Sequence, residues 1–310
     1  MNRRSLREGN PGARNSEVPA NFAAWAARPV VEIDATGTHA LTVDVEDYFQ
    51  VEAFFDVIHR DSWNNRECRI ERNVDRILEM FSESGVHATF FTLAWIAERY
   101  PALVRRIVAG GHELASHGLA HERADSQNRQ SFSNDVTRSK SILEDIGGIP
   151  VKGYRAASFS INKSNLWAFE VLDRAGYRYS SSLYPTRYIP EAPQFAFYPQ
   201  AGSPFMEIPV ASAQKFGLNL PCGGGGFFRL LPYWISAQSI RLAARQKKRP
   251  CIFYFHPWEI DPEQPRVAGA GLKSRIRHYT NLAKMQGRLK QLLADFRWKR
   301  LDQIYPVAAS

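Results

Sequence analysis

Three acids crowd four positions of the chain, Asp44, Glu46 and Asp47, at the end of the β-branched run His39-Ala-Leu-Thr-Val-Asp-Val45. Turn formation and helix capping are one use for such residues. Like charges this close also repel, and a metal ion among them would resolve the conflict. His117 and His121 stand in H-x-x-x-H spacing, which puts both imidazoles on one face of a helical turn, suited to two ligands of one divalent ion. Two histidines and one carboxylate leave positions for water and substrate, the pattern of a hydrolytic rather than a structural centre. Arg155 follows the run ending at Tyr154; it is either a surface arginine or a partner that holds an acid ionised. His256 follows the most apolar run, Cys251-Ile-Phe-Tyr-Phe255, and reads as a satisfied core histidine or as a proton donor of tunable pKa. Each is weak alone, but all four groups follow strand-like runs.

The elements that must position them alternate. Strand patterns cover 39–45, 86–93, 112–116, 151–154, 177–179, 251–255 and a last stretch near Arg300. Helical patterns lie between them: one opened by Asn73 with Val74, Ile77, Leu78 and Phe81 on a face and ended by Gly85, then 94–109, about 130–146, 163–175, 233–246 and 271–294. Residues 184–228 read as loop, with Gly223–Gly226 as a flexible turn, since no Lys-Ser/Thr follows to make a phosphate loop. About seven βα units imply a parallel sheet, and a closed or nearly closed α/β barrel is expected over an open doubly wound sheet. Chemistry in such barrels sits where strands end.

At 310 residues with 44% hydrophobic and 12% aromatic content, the chain can bury a large core and is not a disordered or collagen-like protein. Its net charge of +9 raises nucleic acid as a partner, but the excess sits at the ends. Residues 271–300 carry nine Lys/Arg against Asp295 alone, and residues 1–30 five Arg against Glu8 and Glu17. No nucleic-acid motif accompanies these stripes, so that class is set aside. The basic face of the helix over 271–294 is either solvated or attracted to an acidic polysaccharide or anionic membrane surface. Cys68, Cys222 and Cys251, far apart and odd in number, argue against a disulfide framework or a thiolate zinc site. With neither an apolar signal region nor a membrane-length run, the expectation is a soluble protein, cytoplasmic by default. Residues 1–28 read as a disordered basic leader, 29–305 as the barrel with a distinct C-terminal portion from about 190, and 306–310 as a tail.

Five phrases, Thr42-Val-Asp-Val-Glu-Asp47, Ser116-His-Gly-Leu-Ala-His121, Gly153-Tyr-Arg-Ala-Ala-Ser-Phe159, Ser180-Ser-Ser-Leu-Tyr-Pro185 and Phe253-Tyr-Phe-His-Pro-Trp-Glu259, resemble in order the motifs of polysaccharide deacetylases with the NodB homology domain, carbohydrate esterase family four. The branch linked to exosortase exopolysaccharide loci is the most similar. The resemblance implies a distorted (β/α)7 barrel, a zinc-type divalent ion and hydrolysis of N-acetyl groups on a polysaccharide. It implies Asp44 as general base, His117 and His121 as metal ligands, Arg155 as the residue orienting the base, and His256 as general acid. The third ligand is Glu46 or Asp47: the strand face of Asp44 favours Glu46, a bend after Val45 favours Asp47. Ala157, Ser180 and Leu119 depart from the family pattern. Trp258, Tyr184 and Phe159 are candidates for sugar-stacking walls or for packing. An allantoinase-like hydrolase of small cyclic amides and a non-catalytic glycan-binding barrel are the alternatives.

Overall fold

A computed structural model describes residues 37–185, 193–210, 212–215, 218–221, 223–247, 250–305 and 307. The expected leader over 1–28 and nearly all of the expected 306–310 tail lie outside them. Strand β1 (Thr38–Val45) is buried from His39 to Val45, because side chains pack on both of its faces, the situation in which parallel strands read as near-continuous apolar runs. Strand β2 (Thr89–Thr92) pairs with its second half and β9 (Ile252–Phe255) with its other edge, while β10 (Arg297–Lys299) lies along its start. From β2 the sheet continues through β3 (Glu113–Ser116), β4 (Gly153–Tyr154), β5 (Tyr179–Ser180) and β6 (Met206–Glu207). The order β9-β1-β2-β3-β4-β5-β6 is seven parallel strands. Among the described residues no pairing joins β6 to β9, so the (β/α)7 barrel is open there. A separate antiparallel hairpin is formed by β7 (Ser212–Lys215) and β8 (Leu218–Pro221).

Register, more than any single contact, builds the site. Val45 faces Thr92, Thr92 faces Ser116, Ser116 faces Tyr154, and Tyr154 faces Ser180. These are the last residues of their strands, so Glu46, His117, Arg155 and Ser181 emerge at one level. On the other edge Val43 pairs with Phe255, which brings His256 to the same rim.

The sheet is covered by α1 (Ile70–Glu83), α2 (Ala94–Arg99), α3 (Pro101–Ala109), α4 (Arg129–Gly147), α5 (Ala168–Arg174), α6 (Gly225–Leu230), α7 (Tyr233–Lys247), α8 (Leu272–Tyr279), α9 (Leu282–Asp295) and a final turn, α10 (Leu301–Ile304). Val74, Ile77 and Phe81 of α1 join Leu289, Leu292 and Leu293 of α9 in one buried cluster with β1, β2 and β9; each such side chain contributes about 1.5–3 kcal/mol.

Several elements differ from expectation for local reasons. The helix over 94–109 is two, because Pro101 opens α3 without an N–H to continue the first. The helix over 271–294 breaks at Asn281, which adopts the left-handed conformation at φ 58. Asn73 does not open α1: the helix starts at Ile70, and the buried Asn73 amide reaches Asp261. The loop over 184–228 contains β6, the hairpin and α6. Gly223–Gly226 is not a flexible turn either. A Cβ at Gly223 would meet the Ile252 carbonyl oxygen at 2.1 Å, and one at Gly225 would meet Glu259 Oε1 at 1.8 Å, so these glycines permit close packing on β9 and the segment after it. Among the described residues no helix is long and apolar enough to cross a membrane.

Candidate active site

Arg155 is fully buried, and its guanidinium lies 4.0 Å over the Phe91 ring. Nη1 donates to Asp44 Oδ1 at 2.6 Å and to Thr42 Oγ1 at 2.8 Å, Nε to the Ser181 carbonyl at 3.1 Å, and Nη2 to Ser181 Oγ at 3.2 Å. A buried ion pair is costly unless its remaining donors are satisfied; here three further hydrogen bonds hold the guanidinium, and Asp44 is held at one angle. The Arg155 backbone also takes part. Its carbonyl lies 2.8 Å from His117 Nδ1, which places the proton on Nδ1 and leaves the Nε2 lone pair for a ligand.

Glu46, His117 and His121 are all buried, and one donor atom from each lies within 4.8 Å of the others. His121 Nε2 is 2.8 Å from Glu46 Oε2, yet that oxygen makes no hydrogen bond, and neither does the buried His121 Nδ1. A buried carboxylate oxygen without a hydrogen bond, set against two imidazoles, is what a divalent cation satisfies, and an imidazole–imidazole–carboxylate set suits zinc. Burial holds His117 down at about 4, so it is a neutral imidazole near pH 7. For Glu46 burial acts the other way, but His121 and His256 outweigh it and hold the carboxyl at about 2. The donor set fits a metal.

The H-x-x-x-H segment is not a helical turn. Gly118 and His121 both have positive φ, at 82° and 54°, and the loop is pinned by the Leu119 N–H to Asp135 Oδ1 and by its carbonyls at Gly118 and Leu119, which accept from Ala94 and Trp95. Asp47 is corrected too. Although the chain bends after Val45, with the Glu46 N–H on the Asp44 carbonyl, it is Glu46 that reaches the histidines. The Asp47 carboxylate turns away to accept the N–H groups of Tyr48 at 2.7 Å and Arg69 at 2.5 Å.

His256 closes the rim, with Nε2 3.4 Å from Glu46 Oε1 and 3.9 Å from Asp44 Oδ2. Its Nδ1 lies 2.7 Å from Glu259 Oε1, and Glu259 Oε2 in turn accepts from Arg229 Nε at 2.6 Å. Burial alone would lower the imidazole pKa, but Glu46 and Glu259 raise it to about 9. Glu259, Arg229 and Ser181 were not singled out from sequence; the H-P-W-E spacing, with Glu three residues on and its carboxylate accepting the His256 N–H, is the signal that marks Glu259. Trp258 is no stacking wall: it is buried, stacks 4.0 Å from the His278 ring, and aims its Nε1–H at Glu46. Phe159, Tyr184 and the additional Tyr254 form a half-buried aromatic group, with centroids 4.9–6.1 Å apart.

The polysaccharide deacetylase family matches residues 53–180, and a domain of unknown function (DUF3473) matches residues 181–306. Residues 53–180 are a polysaccharide deacetylase domain. The peptidoglycan-N-acetylglucosamine deacetylase of Bacillus cereus is 31% identical over 96 residues, 31% of this chain and 35% of that protein. The chitooligosaccharide deacetylase of Sinorhizobium fredii is 37% identical over 67 residues, 22% of this chain and 31% of that protein. The chain thus spans about a third to a half of the curated relatives it matches. A Mycobacterium smegmatis protein assigned as a polysaccharide deacetylase shares the fold at TM-score 0.57 and 21% identity, over 90% of this chain and 92% of that one. The Bc1960 peptidoglycan N-acetylglucosamine deacetylase does so at TM-score 0.50 and 16% identity, over 92% and 95%. His117, His121 and Arg155 lie inside the deacetylase match, Asp44 and Glu46 ahead of it, and Arg229, His256 and Glu259 in the DUF3473 part. The rim is therefore assembled from both.

Proposed function

We propose that the chain is a metal-dependent hydrolase that removes N-acetyl groups from a polysaccharide, an exopolysaccharide or its precursor, and releases acetate. One observation carries this: an arginine-held carboxylate, a buried Glu-His-His donor set and a carboxylate-backed histidine meet at one barrel rim. The names of the relatives add N-acetylated saccharides as the substrate class.

Glu46, His117 and His121 would hold the cation, with zinc the best match to these ligands. When bound, such an ion supplies Lewis-acid polarisation of the acetyl carbonyl and of water. Asp44 takes the proton of the attacking water as general base. Arg155 holds that carboxylate in one orientation, and its carbonyl fixes the His117 tautomer. His256, charged near neutral pH, gives its proton to the departing amide nitrogen, which leaves poorly without one. Glu259 balances that charge and holds the ring. The products are acetate and a free amino sugar. Phe159, Tyr184 and Tyr254 offer aromatic faces to sugar rings.

The test is metal analysis of the purified chain together with acetate release from N-acetylglucosamine oligomers and native exopolysaccharide. Stoichiometric metal with turnover that disappears in Asp44→Asn is expected. No acetate from any of these substrates by the metal-replete protein would overturn the proposal.

A further inference from the structure

The large apolar side chains left exposed among the described residues are not scattered. They are Phe227, Leu230, Leu231, Trp234, Leu272 and Ile276, and Trp234 and Leu272 are 67% and 73% exposed. All six belong to α6 and its capping residue Leu231, the start of α7 and α8, and α6 is tied to α8: the buried Arg229 of α6 donates to the carbonyls of Arg277, His278 and Thr280 at the end of α8. The half-buried Arg288 of α9 donates to the carbonyls of Phe228 and Arg229. The patch therefore stands on a rigid support. Burying such groups in the protein's own core would have been the default, and large exposed apolar side chains gathered on joined helical segments mark an interaction face.

Charge identifies the partner. No Asp or Glu occurs between Glu207 and Glu259 or between Glu263 and Asp295, while each of these stretches carries seven Lys/Arg. On α8, Leu272 and Ile276 are one turn apart, interleaved with exposed Lys273, Arg275 and Arg277. Apolar and aromatic side chains rimmed by cations, with Trp at the boundary, are the chemistry of a helix lying in an anionic bilayer surface. A second copy of this chain would bring the same basic rim against itself, which like charge opposes.

We propose that the face formed by α6, the start of α7 and α8 docks on an anionic lipid bilayer, its apolar side chains entering the headgroup boundary while the Lys/Arg rim meets lipid phosphates. Insertion supplies the apolar part of the binding and the rim supplies selectivity for negative charge, so added salt weakens binding without abolishing it. The proposal is independent of deacetylation. The platform nevertheless adjoins the site, because Arg229, which links α6 to α8, also grips Glu259 behind His256.

The experiment is co-sedimentation of the full chain with vesicles of phosphatidylcholine alone or with about 30 mol% phosphatidylglycerol. Expected is binding at least about tenfold tighter to the anionic vesicles, lost about tenfold in Trp234→Ser/Leu272→Ser, with Lys273→Gln/Arg275→Gln reducing the anionic preference. Acetate release from a soluble oligosaccharide and the thermal midpoint serve as controls that these exposed substitutions leave unchanged. Absence of sedimentation with anionic vesicles, or a Trp234→Ser/Leu272→Ser variant that sediments like the parent, would overturn the proposal. A concentration-dependent dimer in sedimentation velocity, abolished by the same double variant in a chain that ignores vesicles, would overturn it in favour of self-association.

Discussion

Glu259 accepts a hydrogen bond from the ring of His256 at 2.7 Å with one oxygen and from Arg229 at 2.6 Å with the other. The carboxylate is completely buried, so it can hold the imidazole in one orientation and favour its charged form. Glu259→Gln keeps the shape but removes the charge. We expect kcat to fall about 10–100-fold, less than the roughly 10²–10⁴-fold that a general acid itself supplies because His256 remains, with unchanged metal stoichiometry and little change in KM. Acetate-release kinetics alongside metal analysis check this; a variant of parental kcat would remove Glu259 from the mechanism.

The tetraglycine segment supplies a paired control. A Cβ at Gly225 would fall 1.8 Å from Glu259 Oε1, whereas one at Gly226 has nothing within 4 Å. Gly225→Ala must displace Glu259 or α6, at a cost of about 1–3 kcal/mol of stability and with loss of turnover. Gly226→Ala is expected within about 0.5 kcal/mol of the parent and fully active. Urea unfolding and acetate release on the two variants separate packing at Glu259 from a general intolerance of the segment.

What the sequence disclosed and what it hid divide along a physical line. Residue type at the end of an apolar run was legible, so the acids Asp44, Glu46 and Asp47 together with His117, Arg155 and His256 stand out, because parallel register places successive strand ends at one level. Partners arriving from far along the chain were not legible. Arg229 is 30 residues from Glu259, and Ser181 is 26 residues from Arg155. Backbone shape was the other blind spot. H-x-x-x-H at helical spacing reads as a helical turn, but Gly118 and His121 take positive φ and Asp135, from α4, ties the loop down. Likewise the break at Asn281 interrupts an apolar period that continues undisturbed through it.

Glu46 and Asp47 are adjacent acids with opposite surroundings. Glu46 Oε2 has no hydrogen bond and lies 2.8 Å from His121; Asp47 spends both oxygens on backbone N–H groups. Glu46→Gln is therefore expected to weaken metal binding by about 10–100-fold or more, because a neutral amide replaces an anionic ligand. Asp47→Asn should retain the metal and instead lose about 1–2 kcal/mol of stability, as one acceptor becomes a donor facing an N–H. Metal content after dialysis against a weak chelator, with unfolding midpoints, distinguishes the two; equal metal loss in both variants would return Asp47 to the ligand set.

His39 and His112 predict an acid-sensitive component of stability. Both are buried, and each accepts a backbone N–H just ahead of a strand at 3.2 Å, from Cys251 before β9 and from Ala88 before β2. Burial holds each imidazole down at about 4, below the unfolded value near 6.5. The unfolded chain therefore takes the proton first. Their contribution is complete above about pH 6.5 and is lost as pH falls toward 4, on the order of 3 kcal/mol each. Glu113 and Glu207 act with the opposite sign: burial raises both to about 7, so their contribution is complete below their unfolded range and is lost as pH rises through 7. The histidine part must accordingly be read by difference. In His39→Asn/His112→Asn, whose amide oxygens can take over the Nδ1 acceptors, the loss of stability between pH 7 and pH 5 should be smaller than in the parent. Urea unfolding at the two pH values checks the sign, and a steeper acid loss in the variant would contradict it.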